Sequence, residues 1–72
     1  MIKKKIQKAQ EIGISNANMA FDQAYAYDTL EDAIASFLDN VQDTLVEEGI
    51  LTKETFAAAE RAFDTRVAQL RG

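Results

Sequence analysis

Carboxylates are the only side chains in this chain whose type and spacing could do chemistry. Asp28 and Asp32, Asp39 and Asp43, and Asp43 and Glu47 each stand four residues apart. On a helix, that spacing places the two acids of each pair on one face. Such pairs could hold a divalent cation or divide acid and base roles. Either task needs a pocket and a second set of ligands. No His and no Cys are present, which removes Cys/His zinc sites, iron–sulfur centres and the Glu-x-x-His helix motif. Ser15 and Ser36 have no imidazole to activate them, and the isolated Gly49 makes no phosphate-binding loop. The acid pairs therefore predict a solvated acidic face. The expected protein is not an enzyme and uses no metal or cofactor.

Binding is the chemistry that remains. Tyr25 and Tyr27, with Phe21 nearby, combine rigid apolar area with polar tips, as interface residues do; a place in the core is the alternative. Together with Asp28, Asp32, Asp39 and Asp43 they form the candidate interaction set. Eight of the twelve acids lie between Asp22 and Glu48. The expected function is a non-catalytic protein-interaction module, an adaptor or small inhibitor acting on a larger, unidentified protein. The alternative is an acidic mimic that occupies a basic nucleic-acid groove on its target.

Two helices are written plainly. Leu30, Ile34, Phe37, Leu38, Val41 and Leu45 form one apolar stripe at helical spacing, opposite Glu31, Asp32, Asp39, Asn40, Gln42 and Asp43. Asp28 and Thr29 are both able to cap its start. A second stripe runs through Phe56, Ala59, Phe63, Val67 and Leu70, flanked by Arg61, Arg66 and Arg71, with Glu60 and Asp64 placed to pair with nearby Arg. Between the stripes, Gly49 reads as the left-handed stop of one helix and Thr52 as the cap of the next. Leu51 and Phe56 have the spacing of a hydrophobic staple. Two such helices on a short loop predict an antiparallel hairpin.

The N-terminal third reads less regularly. Ile2, Ile6 and Ala9 mark a short helix ending near Gly13, and Ser15-Asn16-Ala17-Asn18 reads as a break or a new cap. Residues 19–27 fit two patterns. Phe21, Tyr25 and Asp28 share a helical face, yet Phe21, Gln23, Tyr25 and Tyr27 alternate as in a strand that would pair with a partner copy. Ala content and the lack of β-branched residues favour helix.

At 72 residues this is one domain, 1–72, of a size whose core is marginal without a staple. Disulfides and Cys/His metal sites are ruled out, so a partner chain is the expected staple and a homodimer the expected state. Net charge is −4 and unevenly spread: residues 1–8 carry four Lys and no acid. The chain thus divides into a basic, fraying segment 1–14 and an acidic body 15–72. The four Lys with Ile2 and Ile6 could touch an anionic surface, but a solvated terminus is expected. The acidic body argues against direct nucleic-acid binding. No apolar run is long enough for a membrane span, and a cytoplasmic location is expected.

The stretches "YDTLEDAIASFLDNV" and "GILTKETFAAAERAFDTRVAQL" resemble the N-terminal helical hairpins of transcription factor IIA subunits over about forty residues. The resemblance implies a capped hairpin whose copies combine into a four-helix bundle, and with it a lower-ranked alternative function, a dimerising transcription-factor hairpin. That family's β-domain has no counterpart in these residues, and no functional residue carries over. The expected fold is all-α. It is an antiparallel hairpin of about 29–48 and 53–71 with a shorter N-terminal helical segment, completed as a four-helix-type bundle by dimerisation.

Overall fold

The computed structural model describes residues 2–72 and is all-helical. Three α-helices follow in order: α1 (Ile2–Asp22), α2 (Leu30–Glu47) and α3 (Lys53–Arg71). A single 3-10 turn, Ala24–Ala26, joins α1 to α2. Cross-links between helices fix the directions. Asn16 meets Asn40, Asn18 meets Arg66, and Glu31 meets Arg71. α1 and α3 therefore run parallel, with α2 antiparallel to both.

The predicted hairpin is present. Val41 and Leu45 of α2 and Ala59 and Phe63 of α3 are fully buried, and Val67 nearly so. Ile34, Phe37, Leu38 and Phe56 pack against them. Thr29, not Asp28, caps α2: its hydroxyl accepts the Asp32 backbone N–H at 3.1 Å. The junction before α3 is hydrogen-bonded throughout. The N–H of Ile50 donates to the Leu45 carbonyl and that of Gly49 to the Val46 carbonyl, both at 3.0 Å. With Gly49 at φ 73°, this is a Schellman stop. Thr52 Oγ1 then accepts the Thr55 N–H, while the Thr52 N–H donates to Thr55 Oγ1, a reciprocal capping box. Leu51, expected to staple against Phe56, is 40% exposed. Ile50 instead packs against the core alongside Phe56.

The N-terminal third departs from expectation. α1 is the longest helix, 21 residues, and runs unbroken through Gly13 and Ser15-Asn16-Ala17-Asn18. It also crosses the expected boundary between the basic 1–14 segment and the acidic body. Met1 of that segment lies outside the described residues. Each apparent breaker has a tertiary role. Gly13 is buried against α3, where a Cβ would collide with the Ala59 carbonyl oxygen. Ala9 and Ala17, one helical turn either side, are fully buried, so small residues let two backbones approach closely. Asn16, 2% exposed, donates to the Ile12 carbonyl at 2.9 Å and accepts from Asn40 Nδ2 at 2.7 Å. Asn18 accepts from Arg66 Nε at 2.8 Å. These bonds satisfy side chains that elsewhere compete with helix formation.

Residues 19–27 hold no strand. α1 reaches Asp22 and the 3-10 turn follows. α1 also packs over the hairpin, most extensively along α3. It contributes Ala9, Ile12 and Ala17 to the core. α1 thus covers part of the hairpin's apolar stripes within one chain, and the expected completion by a second copy finds no support among the described residues. Glu60 and Asp64 make no ion pair among the described residues; the single pair there is Arg71–Glu31, at 2.8 Å.

Candidate functional site

The α1–α2 corner places the aromatic candidates. Its 3-10 turn closes when the Tyr27 N–H donates to the Ala24 carbonyl at 3.0 Å. Tyr27 is extended, at φ −119° and ψ 159°, and so leads from the turn into the Thr29 cap. Its ring lies edge-on to Phe37, with centroids 6.2 Å apart. Such a pair contributes about 0.5–1.5 kcal/mol beyond its buried area. Its hydroxyl lies 3.2 Å from Ser36 Oγ. Ring and hydroxyl are therefore anchored to the first half of α2.

Beside this anchor is a cleft of about 420 Å³ lined by Tyr27, Ser36, Phe37, Asp39, Asn40 and Asp43. Three of the seven candidate residues thus meet here: Tyr27, Asp39 and Asp43. Tyr25 stands on the same corner with 87% of its surface in water. Phe21 is part of the fold, half-buried against the core. Asp28 and Asp32 are exposed and do not line the cleft. Asp32, Asp39, Asp43 and Glu47 nonetheless follow one another at i, i+7, i+11 and i+15. All four are exposed along a single side of α2.

The cleft offers carboxylate acceptors, an amide, a hydroxyl and an aromatic edge on an open surface. That set recognises cations and hydrogen-bond donors, as Lys and Arg side chains present them. Among the described residues, no three acidic side chains converge as a metal site would require. No described helix is long and apolar enough to cross a membrane.

Sequence reasoning missed the polar links between helices, Asn16–Asn40 and Arg66–Asn18. One signal was available. Ala9, Gly13 and Ala17 repeat every four residues, a small-residue stripe that marks close helix packing. The asparagines carry no such signal, because their partners lie 24 and 48 positions away.

Comparison with protein-family models, with curated proteins and with solved structures found no match to this chain.

Proposed function

We propose that this chain is a non-catalytic protein-interaction module. It engages a basic patch on a larger protein through Tyr25, Tyr27, Asp39 and Asp43, as an adaptor or small inhibitor. The supporting observations are Tyr25, 87% exposed on the α1–α2 corner, and a cleft that Tyr27, Asp39 and Asp43 line. A large aromatic in water does nothing for folding, whereas at an interface Tyr is among the residues that carry most of the binding. The neighbouring carboxylates supply charge complementarity, which sets orientation and association rate.

The test is affinity capture from cells expressing the protein, with the intact chain as bait against two variants. Tyr25→Ala removes the exposed ring without touching the core, and Asp39→Lys with Asp43→Lys reverses the charge of the cleft. The expected outcome is one captured protein whose binding falls in both variants. Capture that is indifferent to both would refute the reading.

The exposed acidic row on α2 favours a second reading, a mimic of nucleic-acid charge seated in a basic groove. Under that reading, charge reversal abolishes binding, Tyr25→Ala leaves it intact, and affinity falls steeply with added salt. A homodimer of this chain would be built from exposed faces, because α1 already covers the apolar stripe of the hairpin.

A further inference from the structure

A second concavity lies on another side of the bundle, between the parallel helices α1 and α3, and it has the opposite chemistry. Its volume is about 350 Å³. Ile14, Ala58 and Ala62 give it an apolar lining, and Ile14 is 42% exposed. Arg61 and Arg66 also line it, and no acidic residue does, although acids outnumber bases in the chain by twelve to eight.

Arg66 is half-buried. Its Nε donates to Asn18 Oδ1 at 2.8 Å and its Nη1 to Gln69 Oε1 at 3.1 Å. Both acceptors are neutral amides. They fix the plane of the guanidinium but leave its charge uncompensated, and no carboxylate lies within ion-pair distance of it among the described residues. A partly desolvated cation without a counter-ion is costly. Of its five N–H groups, one on Nη1 and two on Nη2 are left by these bonds, and they can meet a planar carboxylate.

We propose that this groove binds a small organic monocarboxylate with a short apolar tail. The carboxylate meets Arg66 and Arg61, and the tail lies on Ile14, Ala58 and Ala62. Size favours a small ligand, since the volume is at the low end of the roughly 300–1,000 Å³ typical of small-molecule sites. A docked helix fits less well. One Ile and two Ala are a slight apolar lining beside the ~800 Å² per partner of a standard protein interface.

The experiment is a titration of the isotopically labelled full chain with sodium hexanoate, followed by NMR. The expected result is saturable shifts at the amides of Ile14, Ala62 and Thr65 and at Arg66 Nε. Hexan-1-ol and inorganic phosphate, each lacking half of the recognised chemistry, should bind at least about tenfold more weakly. Arg66→Gln and Arg61→Gln should each weaken hexanoate by about tenfold. Ala62→Leu, which fills the groove and leaves both guanidiniums in place, should abolish binding while thermal melting stays cooperative. Shifts that never saturate would overturn the proposal, as would hexanol binding equal to hexanoate, or unchanged affinity in folded Ala62→Leu. Tighter binding of a capped acidic helical peptide at the same resonances would also overturn it, in favour of a protein occupant.

Discussion

Gly13 shows how a single residue can mislead when its neighbours in space are unknown. In sequence it is one of three glycines placed where a helix could end, and Gly49 and Gly72 do adopt positive φ. Gly13 remains helical because α3 takes the space its side chain would fill. Two effects oppose each other in Gly13→Ala. Helix propensity favours Ala by about 1 kcal/mol, while forcing a methyl into a packed backbone contact costs about 1–3 kcal/mol. The obstacle is the Ala59 carbonyl, with the Phe63 backbone nitrogen only 3.1 Å from the same point, and backbone yields less readily than a side-chain tip. Packing should therefore win. Urea denaturation should show a net loss of stability of up to about 2 kcal/mol, and a stabilised variant would mean that α1 and α3 part freely. Asn16 and Asn18 follow the same logic. They look like breakers and serve as cross-links, so local propensity could not have placed them.

Among the elements, α2, α3 and their junction were legible almost to the residue. Lys53–Arg71 is the predicted span, and α2 ends one residue before the predicted Glu48. The reason is that caps act on the backbone within a few residues, so Gly49 and Thr52 mark the turn without outside help, while the reciprocal bond from Thr55 emerged only in the structure. Gly49→Val tests this directly. A Cβ there meets nothing within 4 Å, so any cost comes from the backbone, held at φ 73°. Left-handed geometry costs an L-residue roughly 1–2 kcal/mol, and β-branching adds to it. A thermal melt should show that loss; an unchanged midpoint would contradict the left-handed stop. The candidate site was legible only in part. Tyr27, Asp39 and Asp43 could be nominated by type, but their meeting depends on the corner that swings Tyr27 over Ser36 and Phe37. The extra length of α1 was signalled only by the Ala9–Gly13–Ala17 repeat, because the contacts that keep Gly13, Asn16 and Asn18 helical lie on α2 and α3.

At the scale of the whole molecule, α1 completes the core of the hairpin within one chain. A hairpin of residues 29–72 alone would leave Val41, Leu45, Ala59 and Phe63 without the surface of Ala9, Ile12 and Ala17. Isolated helices depend on tertiary packing for most of their stability, so that fragment should show weak helicity and a broad, non-cooperative melt by circular dichroism. A peptide of residues 2–22 added in trans should restore helicity in proportion to its concentration. A fragment that melts cooperatively without it would refute this account of the core. The direction of α1 has a consequence of its own. With α1 and α3 pointing one way and α2 the other, the dipole of α2 offsets one of the two parallel ones and the equivalent of one survives, about half a unit charge at each end. Its positive pole lies at the end where exposed Lys3, Lys4, Lys5 and Lys8 stand together with exposed Glu47, Glu48 and Glu54 of the α2–α3 junction. The bundle is thus electrically polar along its 39 Å axis while anionic overall. In dilute salt the opposite end, where exposed Asp22, Asp28, Glu31 and Asp32 gather at the α1–α2 corner, is the one an anionic surface would turn away, an alignment that fades once the screening length drops to ~10 Å near 0.1 M salt.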